Sequence, residues 1–430
     1  MADPAELAAR ADIDPAWYVH IEAGRVLPTN DELGRLTTVL GGIPSSRLYV
    51  LNYRQVIGEG TDYGSVSGFG GTFRMWSDIC HMLVTPEELT WFERQPGLDH
   101  RVDVFMNMSC GTQNTPHLLL DTVSVLDTLG VSFVAAAGTA ACCGKPFRSN
   151  GRTDLGERMS VAHRDRSRAW GAQVHVNWCT ACQVTSTVAA ARRELVDGVE
   201  HPVREVQVLT FLDERIRELG DRVPWKKEVR RRVLAEGHAA WSPVHREAHE
   251  AVARLLALVP GVEVVGFYDG FSDDSPCTAR GREPDSSPPA WVRQPQTPEL
   301  ISAHRTRLAD QAQSRGADTI SCQHQGCHLI WSRYASERLE VRHAVSILAE
   351  ALGCVHPDRF QAAARLGSPE EFVAQTRSIW QSWGMSEDRA LELAQSISDP
   401  TFADQAVNRS CGGDGPCQNH LIPIDVVAGV

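Results

Sequence analysis

Residues 171–182 read GAQVHVNWCTAC, and residues 316–327 read GADTISCQHQGC. The two stretches align without a gap, from a leading glycine to a closing cysteine. In that register His324 takes the place of Cys179, Cys327 matches Cys182, and Cys322 is additional. Similar segments follow both copies, PVREVQVLTFLDERIRELG (202–220) and VRHAVSILAEALG (341–353), each read as a helix closed by glycine. The chain is therefore a tandem repeat, and the content of one copy predicts the fold of both.

Upstream of Cys179 the pattern alternates between strand and helix. VDVFMNMSC (102–110) is a strand ending at Cys110, and HLLLDTVSVLDTLG (117–130) is a helix with a glycine stop. VSFVAAAG (131–138) leads into the loop of Cys142 and Cys143; LGERMSVAHRDRSRAWG (155–171) reads as a helix, and AQVHVNW runs straight into Cys179. Strand, crossover helix, strand, repeated, predicts an α/β fold with a parallel sheet. All three cysteine groups then fall just beyond the carboxyl ends of strands, where open α/β sheets place their ligands. Helices that follow aim their positive ends at the thiols and favour their ionisation.

The second copy departs from the first. By spacing alone, Val244 stands where Cys110 stood, and Pro276–Cys277 follows at the interval that separates Cys110 from Cys142–Cys143. The expected organisation is an N-terminal extension (1–100), a first repeat (101–220), a second, degenerate repeat (221–353) and a helical C-terminal region (354–430). SPEEFVAQTRSIWQSWG (368–384) and SEDRALELAQSIS (386–398) carry the helical period of that last region, and NRSCGGDGPCQNH (408–420) is a loop holding Cys411 and Cys417. Residues 271–300, rich in Pro, Ser and Asp, read as a long loop. The run GEGTDYGSVSGFGGTF (58–73) is glycine-rich but lacks the GKS or GKT of a phosphate loop.

Composition narrows the function classes. The 430 residues carry a formal charge of −12, which argues against a general nucleic-acid binder. The basic stretch WKKEVRRRVL (225–234) reads as the solvated face of a helix. No apolar run reaches membrane-spanning length, and no basic segment followed by an apolar block opens the chain, so a cytoplasmic protein is expected. Twelve cysteines in a reducing compartment point to metal or redox chemistry rather than disulfides. Cys110, Cys142, Cys143, Cys179 and Cys182 exceed the four ligands of a structural zinc or a cubane cluster. Adjacent cysteines rarely bond each other, so Cys142 and Cys143 suit two atoms of one larger object, such as a distorted cluster with a bridging thiolate. A zinc site and buried structural thiols are the alternatives. Cys277, Cys322, His324 and Cys327 form a second candidate ligand set, suited to an iron–sulfur centre or to zinc. His328, His175 and Trp178 read as core residues, and Cys80 and Cys354 as small buried apolar side chains. Lys145 and Arg148, behind the vicinal pair, are candidates to balance cluster or substrate charge.

The pattern Cys110, Cys142–Cys143–Gly144, Cys179-x-x-Cys182 resembles the CCG cysteine-rich domain of the heterodisulfide reductase B family. The tandem arrangement covers residues 101–352. The resemblance implies that the five cysteines hold a non-cubane [4Fe–4S] cluster. It implies an oxidoreductase acting on a thiol, disulfide or other sulfur group, with an electron-donor protein as partner. A relay protein that only passes electrons and a zinc-stapled binding protein are the other readings. The second copy lacks cysteines at Val244, Pro276 and His324, so one such cluster per chain is expected.

Overall fold

The structure, a computed structural model, describes residues 3–22, 66–89, 101–137, 142–144, 170–180, 203–236, 243–268, 309–332 and 335–398, with scattered positions between them. At the N-terminus, α1 (Pro4–Arg10) is capped by Asp3, whose carboxylate accepts the Ala5 amide at 3.0 Å. It packs with α2 (Pro15–Glu22) over Ala8, Ala11, Ile13 and Tyr18. The longer α3 (Val66–Leu83) starts inside the glycine-rich run. Interior glycines cost a helix about 1 kcal/mol each relative to alanine. The second half of α3 offsets this by burying Trp76, Ile79, Met82 and Leu83.

The first repeat comprises β1 (Val104–Asn107), α4 (Pro116–Thr128), β2 (Phe133–Ala136), β3 (Val174–Asn177), β4 (Arg204–Gln207) and α5 (Val208–Leu219). Its four strands are parallel in the order β2-β1-β3-β4. The second repeat comprises β5 (Arg231–Glu236), α6 (Pro243–Leu258), β6 (Val262–Tyr268), β7 (Thr319–Cys322), α7 (Gln325–Trp331), β8 (Glu340–His343) and α8 (Ala344–Leu352). Its sheet has the matching order β6-β5-β7-β8, again parallel. The fold is α/β, and the tandem repeat is visible in its topology. Central β1 is buried at every residue, as a strand covered on both faces must be.

Three sequence expectations change. First, each sheet has a fourth strand, because REVQ and EVRH are extended and only the residues after them are helical. Gln207 and His343 make that switch by accepting the amides of Leu209 and Val345. Second, WKKEVRRRVL is not a helical face; it runs into β5, whose Val233 and Leu234 are fully buried. Arg231 leaves the strand to meet Glu340 at 2.7 Å and Glu350 at 3.0 Å. Third, Val244 does not replace Cys110. Val233 pairs with Thr319 as Val104 pairs with Val174, which sets Glu236 level with Asn107. Val244 is the second residue of α6, after Pro243, just as His117 follows Pro116 in α4. The counterpart of Cys110 therefore lies within 237–242, outside the described residues.

The two halves exchange equivalent helices. α5 packs on α6, and α8 packs on α4. Across the second contact Asp121 of α4, fully buried, accepts the Ser346 hydroxyl at 2.5 Å and the His356 amide at 2.7 Å. Behind them α9 (Arg359–Leu366), α10 (Pro369–Gln375), α11 (Arg377–Ser382) and α12 (Glu387–Ser398) form the helical C-terminal region. Both α11 and α12 pack on α3. Among the described residues, no helix is long and apolar enough to cross a membrane.

Candidate metal centre

In an order β2-β1-β3, the chain leaves β1 to one side and β3 to the other, opening a crevice beyond their carboxyl ends. Cys110 follows β1 and Cys179 follows β3, so both stand at that crevice. Asn107 and Asn177, paired at the strand ends, tie the two exits together through a 3.0 Å side-chain bond. Ser109 takes a left-handed φ of 61°, unusual for a residue with a Cβ. Its amide donates to Asn107 Oδ1 at 3.0 Å, and its hydroxyl meets Thr112 at 2.9 Å. Those bonds hold the turn that carries Cys110 into the short 3-10 helix Gly111–Asn114, where Gln113 binds the Cys110 carbonyl.

Gly144, with φ at 82°, turns the chain after the vicinal pair, and Ser160 fixes the Cys143 carbonyl at 2.5 Å. Past β3, the Cys179 carbonyl accepts the amides of Cys182 and Gln183, starting a helical turn. The result is one buried nest. Cys110 contacts Cys142, while Cys182 contacts both Cys143 and Cys179. All five thiols are at most 6% exposed. Hydrogen bonding to Cys142, then burial and the neighbouring thiols, push the Cys110 thiol well above its ordinary range. Cys182 is pushed up in the same way, first by Cys143 and Cys179. Thiols crowded like this ionise only when a cation offsets their charge. A polynuclear metal group fits the donor set, because one tetrahedral ion takes four ligands and this nest offers five.

Two further residues belong to the site. Trp76 of α3, 1% exposed, packs against Cys110 and Cys142. Nothing in the sequence placed the N-terminal extension there. His324 is the second, and its position alters the expected second ligand set. Its Nε2 lies 3.2 Å from Cys179 Sγ, while its Nδ1 accepts the Gly326 amide at 3.1 Å. An imidazole that accepts at Nδ1 carries its proton on Nε2, so His324 donates to the Cys179 sulfur. Cys322 and Cys327 pack in an apolar cluster of the second half with Ile320, Leu329 and Trp331. Trp178 also crosses between the halves, donating to Gln325 at 2.9 Å and stacking on His343. His175 is a core residue, 3.2 Å from Glu205. Cys80 is buried, as expected, and burial pushes its thiol far up. Lys145, Arg148, Pro276, Cys277, Cys411, Cys417 and the loop 271–300 lie outside the described residues, as does most of 155–171.

Residues 104–185 match the family model described as CCG, a cysteine-rich domain. The matched stretch spans β1 to the turn after Cys182 and contains all five cysteines of the nest. The match points to a metal- or iron–sulfur-binding role for residues 104–185. No curated protein matches the chain.

Proposed function

We propose that the first half holds a non-cubane [4Fe–4S] cluster through Cys110, Cys142, Cys143, Cys179 and Cys182, and that the protein is a redox protein of the heterodisulfide reductase B type. The observation that carries this reading is the convergence of five buried thiols at the switch point of one sheet. The cluster would supply one-electron chemistry to a sulfur-containing substrate, such as a thiol or disulfide. The protein's own share is to exclude water with Trp76, to order the thiols through the Asn107–Asn177 pair, and to donate the His324 proton to Cys179. With that proton committed to Cys179, His324 serves the first site, and one such cluster per chain follows. Electrons would come from a partner protein.

A second reading is favoured by one feature. Thiols this buried suit a centre that relays electrons to a partner, since tunnelling needs no open path for a substrate. Turnover separates the two: disulfide reduction by dye-reduced protein supports direct chemistry, while dye oxidation by a partner alone supports the relay.

Metal analysis tests the shared claim. Anaerobically purified protein should contain about four irons and matching labile sulfide per chain, with visible absorption. Cys142→Ser and Cys143→Ser should each lose or shift that spectrum. A native spectrum and iron content in either variant would refute the five-ligand assignment, and zinc without iron would refute the cluster.

A further inference from the structure

Away from the cysteine nest, three segments distant in sequence deliver two imidazoles and a carboxylate to one buried point. His117 lies in the first turn of α4, His328 in α7, and Asp358 caps α9. His117 is 3% exposed, His328 is fully buried, and the Asp358 side chain is 9% exposed. His328 Nε2 stands 2.7 Å from Asp358 Oδ2, and His117 Nδ1 stands 3.4 Å from Asp358 Oδ1. One ligand atom from each lies within 4.8 Å of the others.

Hydrogen bonding accounts for only part of this. Asp358 accepts from His328 and from the Gln361 amide at 2.9 Å. The contact with His117 lacks hydrogen-bond geometry, and Nδ1 of His117 and of His328 has no hydrogen-bond partner. A buried polar atom without a partner costs about 1–3 kcal/mol. Charge points the same way. Burial holds His117 down at about 4, neutral and with a free lone pair. Burial pushes the Asp358 carboxyl up, but the two imidazoles and the Gln361 amide outweigh it and keep it ionised. Two imidazoles and one carboxylate are a donor set for a divalent transition ion, with none of the sulfur a cluster requires. Ligand atoms around a tetrahedral zinc lie about 3.4 Å apart, the separation of His117 Nδ1 from Asp358 Oδ1. The 2.7 Å hydrogen bond between His328 and Asp358 must open when an ion enters between them.

We propose that His117, His328 and Asp358 bind one divalent transition-metal ion of zinc's class. The ion clamps the first repeat, the second repeat and the C-terminal helices together, since each supplies one ligand. This site does not depend on the cluster reading.

The test is metal content and zinc-edge X-ray absorption on the anaerobically purified full chain. The expected result is one zinc per chain with only nitrogen and oxygen neighbours, at about 2.0–2.2 Å. Asp358→Asn and His328→Gln should lose that ion while iron and sulfide stay constant. A sulfur shell at about 2.3 Å would place the zinc on cysteines and overturn the proposal. So would wild-type protein that holds no divalent ion after equilibration with micromolar zinc, or variants that keep a full equivalent. If the variants fail to fold, the wild-type absorption spectrum decides alone. Zinc on nitrogen and oxygen without iron would leave this site standing and remove the cluster; iron and sulfide without zinc would do the reverse.

Discussion

His324 shows how one side chain can change allegiance. Sequence alignment sets it opposite Cys179 as the ligand of a second centre, yet its Nε2–H is spent on Cys179 itself. A donor to a cluster thiolate stabilises the reduced, more negative form and raises the potential. If the proposed cluster is present, His324→Leu should therefore keep the iron and lower the midpoint, by about 60 mV for each tenfold loss of that preference. Redox titration of the wild type and the variant measures the shift. An unchanged midpoint together with lost iron would make His324 a ligand instead. The convergence of the five cysteines was legible in the sequence, because each group follows a strand whose carboxyl end opens on the same crevice. Trp76 was not, because its role is set only by where α3 packs, and nothing local records a contact with Cys110 some thirty residues away.

Among the elements, β4 and β8 are the instructive misses. Four extended residues abutting a helix leave too short a period to register, and Gln207 and His343 hide the boundary by capping with their own side chains. β5 was missed as well, its arginines reading as a solvated helix face. β1, β2, β3 and β7, with α4 and the C-terminal helices, were readable from apolar runs and stop signals such as Ser368 before α10 and Gly384 after α11. β4 also carries a titration signature. Burial raises the Glu205 carboxyl, but His175, Ser186 and Asn177 outweigh it and hold the group below its ordinary 4.5. A carboxylate depressed on folding adds stability above its unfolded value and loses it as pH falls through the folded one. Glu205→Gln should thus be less stable at pH 7, by about 1–3 kcal/mol. The gap to wild type should narrow below pH 4.5. Urea unfolding at a series of pH values measures it, and a gap that stays constant into acid would show that the charge of Glu205 contributes nothing.

At the scale of the molecule, the crossed pairs α5–α6 and α8–α4 make each half part of the other's core. Such halves unfold together. Leu348, fully buried in α8, belongs to the second repeat by sequence. Truncation to alanine should cost about 2–5 kcal/mol, and the loss should appear in hydrogen exchange at β1 as fully as at β8. Protection lost only in 340–352 would mean that the repeats open independently. The same crossed packing has a genealogical reading. Equivalent helices meeting reciprocally is how the protomers of a two-fold homodimer associate. In such a dimer, a residue on the axis faces its own copy. Cys179 and His324 occupy equivalent positions and touch, so a symmetric ancestor would have set cysteine against cysteine or histidine against histidine there. Only after both lobes were written into one chain could the position split into a sulfur on one side and a proton donor on the other.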